Sequence, residues 1–199
     1  MPKDEEKKKI KIKWTMRNNA IAIIIVLAVA AAYVYLFYVP KPVYSVTYNG
    51  AVLNFRVDLR EATKVPVRPG VSEVASTINS AWVQNITIVY KQSESNDTAK
   101  YYNIEAFEIA NKLKTAMLAD GIDNIGIDAK PLSQYNRTDY VQLPGQIQHP
   151  LIAIIPPEFA NETLVYAAPE HVVYISATSD KDLDLAVARF LMSVFRIEL

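Results

Sequence analysis

A chain of 199 residues has room for one domain and an appendage, and its lack of cysteine excludes disulfides, thiolate metal sites, iron–sulfur clusters and cysteine nucleophiles. The 21 basic and 21 acidic side chains cancel in total but not locally. Residues 1–17 hold seven bases against three acids, which leaves 14 against 18 for the remainder, a segregation of sign that is first of all a topological signal.

In chain order the first element is apolar. No charge occurs between Asn18 and Pro40, and at about 1.5 Å per residue some ~20 apolar residues cross the ~30 Å hydrocarbon core. Trp14 before the run and Tyr33, Tyr35 and Tyr38 at its far end are placed as membrane-interface anchors, and Pro40 and Pro42 stop the helix. A cleavable signal has an apolar core of roughly 7–15 residues, shorter than this one, so the segment is read as an uncleaved anchor. The basic side stays in the cytoplasm under the positive-inside rule. The expected organisation is a cytoplasmic tail (1–17), a transmembrane helix (18–39) and an extracytoplasmic domain (40–199), with the lipid bilayer as first partner. Orientation of the anchor accounts for the KKKIKIK tail without nucleic acid. The missing cysteines, the Lys/Glu-rich tail and the Ile/Val-rich apolar set lean toward a prokaryotic, thermophile-like protein.

The outer domain begins with a hairpin, 44–48 and 51–59, around Asn49-Gly50, a pair suited to the positive φ angles of a type I′ turn. Ser72 caps a short helix over 72–80. A strand over 82–90 alternates two different faces. Ile104, Phe107, Ala110, Leu113 and Met117 recur at helical spacing and predict an amphipathic helix of about four turns, with Asn103 as cap and Gly121 as stop. Glu105, Glu108 and Lys112 fall on its polar side and read as a solvated face. Strands follow at 123–129, 151–155, 163–168 and 171–177, the last two flanking a turn at Pro169-Glu170, and a helix over 180–195 closes the chain. This order predicts an α/β (α+β) sandwich: one mixed β-sheet with two to three helices packed mainly on one face.

No pattern in the domain carries identifiable chemistry. Ser179-Asp180-Lys181-Asp182-Leu183-Asp184 resembles the start of a calcium loop, but Leu185 and Leu191 stand where an EF-hand needs glycine and glutamate, so a capped helix start explains it better. His149 and His171 lie in different elements, and the phosphate-loop spacing of Gly121 and Gly126 has Ile127 in place of lysine. No catalytic residue, metal ligand or cofactor site is therefore assigned. Four sequons stand outside the tail, at Asn85, Asn96, Asn136 and Asn161, where the composition yields roughly one by chance. They are candidate N-glycosylation sites, with Asn85 the least accessible because it lies in a strand. The expected function is that of a non-enzymatic accessory subunit or interaction domain, working with a membrane or envelope protein partner. The alternatives are a small-ligand or sugar-binding module using the 131–149 loop, or an envelope-polymer hydrolase built on carboxylates such as Asp58, Glu61, Asp123 and Asp128.

Overall fold

A computed structural model of the chain describes residues 21, 23–30, 44–91, 96–135 and 146–199, with side chains in the long central helix described from Tyr101 onward. The chain divides into two compact units, Met1–Lys41 and Pro42–Leu199. In the first, residues 21 and 23–30 are helical and exposed. Among the described residues no helix is long and apolar enough to cross a membrane. The rest of the expected span, together with Trp14, Tyr33, Tyr35 and Tyr38, lies outside the described residues.

The second unit opens with the expected hairpin, β1 (Tyr44–Tyr48) and β2 (Ala51–Phe55). Tyr48 pairs with Ala51, and Asn49 (φ 44°) and Gly50 (φ 87°) take the two positive-φ positions between them. β2 stops four residues short of the predicted end. Asp58 accepts a hydrogen bond from the Arg60 amide at 2.8 Å and thereby starts α1 (Leu59–Ala62), so Leu59 begins a helix instead of ending a strand. Next come β3 (Val67–Arg68), which the sequence pattern did not predict, and α2 (Val71–Ile78), capped by Gly70 rather than Ser72, whose hydroxyl donates to Glu73 instead. β4 (Asn85–Tyr90) is shorter than predicted, with Trp82 exposed in the preceding turn. Ile86, Thr87, Ile88 and Val89 are all buried, so β4 is an interior strand covered on both faces and not one with contrasting faces.

The remaining elements are α3 (Asn96–Ala119), β5 (Gly126–Pro131), β6 (Leu151–Ile155), β7 (Leu164–Ala168), β8 (Val172–Ser176) and α4 (Asp180–Phe195). Ser179 caps α4 by accepting from the Asp182 amide, with Asp180 and Asp182 in the first turn, which bears out the capped-helix explanation of that acidic run. β3 to β8 form one mixed sheet in the order β3-β7-β8-β6-β4-β5. β5, β4, β6 and β8 pair in parallel, β7 runs antiparallel to β8, and β3 is parallel to β7. The two edges are a two-residue strand and a strand ending on Pro131.

Side chains alternate across this sheet. Ile86, Ile88, Ile152, Ile154, Val173 and Ile175 face the main core, and Val89, Ala153, Ala168 and Val172 form a smaller cluster on the other face with Tyr135, Leu151 and Tyr174 against it. α4 is the hub of the helix layer, in contact with α1, α2, α3, β7 and β8. The hairpin is fastened to the same core by Leu53 and Phe55, nearly fully buried, and by the Tyr48 ring 5.1 Å from that of Phe195. At about 1.5–3 kcal/mol for each large apolar side chain removed from water, these contacts outweigh the marginal stability of a lone two-stranded ribbon.

α3 keeps Leu113 and Met117 of its predicted face buried but not Ile104 and Phe107. Its buried stripe is Tyr102, Ala106, Ile109, Leu113 and Ala116, a 4-3-4-3 spacing, whereas Ile104 is 48% and Phe107 69% exposed. Glu105 and Lys112, expected on a solvated face, are buried, and Glu108 is half-buried. The two alanines let the helix lie close to the sheet, and the flanking charges meet a cation supplied by the hairpin.

Candidate functional site

The chain leaves β4 through α3 toward β5 on one side, and leaves β6 toward β7 and β8 on the other. The carboxyl ends of the adjacent parallel strands β4 and β6 thus form a topological switch point, where connections diverge and a crevice opens between them. A cavity of about 330 Å³ borders those ends and extends along the second face of the sheet over Val89, Leu151, Ala153 and Tyr174. Tyr90 and Lys91 line it from the end of β4, Leu132 and Tyr135 from the turn after β5, and Ile155, Pro156 and Phe159 from the end of β6. Leu132 and Phe159 remain more than half exposed at the rim. The Lys91 ammonium stands 3.4 Å from the centroid of the Phe159 ring, a cation–π contact worth about 0.5–1 kcal/mol at an exposed site. The Phe159 turn is tied to the helix layer by the Tyr102 hydroxyl, which donates to Glu158 Oε2 at 3.4 Å. Burial and the Glu158 and Asp180 charges raise the Tyr102 phenol above its ordinary range, so it stays a proton donor. Chemically the cleft offers aromatic and aliphatic walls with one ammonium at the mouth, a surface for binding an apolar group.

The second unusual locale lies where the hairpin meets α3 and α4. Arg56, just after β2, forms ion pairs with Glu105, with Glu108 (2.8 Å) and with Asp184 (3.3 Å), and Lys112 pairs with Glu108 and sits 5.1 Å from the Phe55 ring centroid. Three carboxylates thus meet two cations. Glu105 Oε2 is buried without a hydrogen-bond donor, and the Asp184 and Glu108 charges stand near enough to repel it. A proton on Glu105 relieves that repulsion. Accordingly the Glu105 carboxyl is held up to about 8, chiefly by burial and then by repulsion from Asp184 and Glu108, against the opposing pull of Arg56. Burial also lowers Lys112, partly offset by Glu108. The Tyr101 phenol, raised by burial and by Asp184, donates to the Asp180 carbonyl at 2.9 Å. With its charges paired and largely withdrawn from solvent, this cluster is built to hold the hairpin to the helices.

The residues singled out from sequence are dispersed. Asn161 lies in an exposed bend, Asn85 opens β4 half-buried beside Gly126, Asn96 begins α3 with its side chain outside the described residues, and Asn136 lies outside them altogether. Among the hydrolase candidates, Asp58 caps α1, Glu61 pairs with Lys64 at 2.8 Å and Asp128 with Lys130 at 2.7 Å. Asp123 precedes β5, and its backbone carbonyl accepts from Lys114. His171 adopts φ 64° in the β7–β8 turn. No group of three or more His, Asp or Glu side chains among the described residues is arranged to hold a metal ion.

Of the 131–149 loop, the described residues Leu132 and Tyr135 reach the cleft, and 136–145 lie outside the described residues. Lys91, Phe159 and Tyr102 were missed. One usable signal was present: Pro156-Pro157 directly after the buried run 151–155 marks the loop at the carboxyl end of a parallel strand. No family model, curated protein or solved structure matches the chain.

Proposed function

We propose that this chain is a single-pass membrane protein with its 1–17 tail in the cytoplasm, its 18–39 segment in the bilayer and its 40–199 domain outside. We further propose that the domain acts by binding a membrane or envelope partner as an accessory or interaction module. The uncharged apolar run and the charge asymmetry around it support the topology. The observation that carries the binding role is the apolar cleft at the β4/β6 switch point, with Leu132 and Phe159 left half exposed at its rim. A cavity of about 330 Å³ falls at the lower end of the range for small-ligand pockets, so a compact apolar ligand is the second reading. An outside location makes Asn96, Asn136 and Asn161 glycan acceptors in a host with that pathway, with Asn85 the poorest.

Because the chain has no cysteine, single-cysteine variants report both topology and occupancy. Lys7→Cys, Val52→Cys and Phe159→Cys are treated with a membrane-impermeant maleimide in intact cells and again after detergent extraction. The expected result is no tail labelling in cells, labelling at Val52 in both states, and slow labelling at Phe159 that accelerates on extraction. Tail labelling with a protected domain would reverse the topology. Unchanged labelling at Phe159 would remove the cleft as a binding surface.

A further inference from the structure

A second cavity, of about 490 Å³, shares no lining residue with the cleft. Arg189 and Met192 of α4 line it, with Arg196 and Ile197 beyond the helix end, Thr63 after α1 and Ser72 of α2. A guanidinium is always charged and presents five donors, so a half-buried one needs acceptors. Arg189 Nε is buried and has no hydrogen-bond acceptor. Among the described residues neither Arg189 nor Arg196 forms an ion pair. Glu198 and Leu199 also line the wall, so carboxylate stands there beside the guanidinium groups; both residues are exposed and neither is in an ion pair among the described residues. The hydroxyls nearby have committed their protons, Ser193 to the Arg189 carbonyl (2.8 Å), Thr63 to the Arg60 carbonyl (2.7 Å) and Ser72 to Glu73 (2.7 Å), which leaves them acceptor capacity only. Burial lowers the Arg189 guanidinium from its ordinary range.

We propose that this cavity binds a phosphate group, with Arg189 and Arg196 donating to its oxygens. A phosphate supplies the acceptors that the guanidinium lacks, and charge-assisted hydrogen bonds between arginine and phosphate are among the strongest that a protein forms. The wall hydroxyls can accept from a hydroxylated substituent on the same ligand, and Met192 and Ile197 supply an apolar side. The phosphate arrives either on a soluble molecule or as the headgroup of an anionic lipid.

The test uses the full chain in phosphatidylcholine nanodiscs, with melting temperature followed against added inorganic phosphate at constant ionic strength, and again in nanodiscs enriched in phosphatidylglycerol. Wild type is expected to gain stability saturably from at least one of the two. Arg189→Gln and Arg196→Gln should each weaken the apparent affinity about tenfold or more, and Lys181→Gln, exposed and outside both cavities, should not. A response to inorganic phosphate alone assigns a soluble ligand; a response to phosphatidylglycerol alone assigns a headgroup. If Arg189→Gln fails to fold, the exposed Arg196→Gln variant decides the matter. Equal responses of wild type and the arginine variants to both probes, or no response of wild type to either, would overturn the proposal.

Discussion

Arg56 and Arg189 both reach into the helix layer, in opposite electrostatic company. Arg56 is surrounded by Glu105, Glu108 and Asp184, all supplied by this chain. Arg189 has an Nε without an acceptor and no carboxylate in ion-pair contact among the described residues. A cation out of water is tolerable when its counter-charge is built in, and the first region is of that kind. In the second, the counter-charge is left to come from outside. Residue type and burial are similar in the two places, so the company a charge keeps separates a structural role from a binding one.

The largest effect should follow from removing the built-in cation. Arg56→Ala leaves three carboxylates facing Lys112 alone and is expected to cost about 3–5 kcal/mol, read from urea unfolding of the full chain at neutral pH. A loss below about 1 kcal/mol, the range of exposed pairs, would mean that the cluster is effectively solvated.

A smaller effect concerns the proton held on Glu105. Folding raises the Glu105 carboxyl from 4.5 to about 8, so the folded state keeps a proton that the unfolded chain releases. The stability this group contributes is complete below pH 4.5 and is lost as pH rises toward 8. Glu105→Gln removes that titration while keeping a neutral partner for Asp184. Between pH 5 and pH 8 the urea midpoint of wild type should therefore fall more steeply than that of the variant. Parallel pH profiles would show that no proton is held there.

The smallest effect tests the other arm. In the same unfolding assay Arg189→Gln should shift stability by less than about 1 kcal/mol, because no internal ion pair is lost. A cost equal to that of Arg56→Ala would erase the distinction between the two arginines.

How much of this was legible in the sequence varies with how local the determining physics is. Asn49-Gly50 sets both positive φ angles within two residues, and Ser179 with the acids after it sets the start of α4, so the turn and the helix start stand where the pattern placed them. The facing of α3 depends on what packs against it from three directions. Alanine carries little weight in a hydrophobic pattern, yet Ala106 and Ala116 face inward and Phe107 outward because close approach to the sheet favours small side chains. Glu105 and Lys112 could be recognised as interior only once Arg56, 49 residues away from Glu105, was known to lie opposite. The cleft and the arginine cavity are likewise assembled from segments far apart in the chain, and nothing in any single segment announces them. The mixed sheet was readable as a class, but its strand order was not, since β3 is only two residues long.

The sheet margins carry a consequence of their own. A free strand edge is a template on which another extended chain can hydrogen-bond, which is the commonest route from a folded β protein to fibrous assembly. Here one margin offers two residues, and the other ends on a proline with Asp128 and Lys130 paired along it. Both devices disfavour lateral growth of this sheet by strand addition.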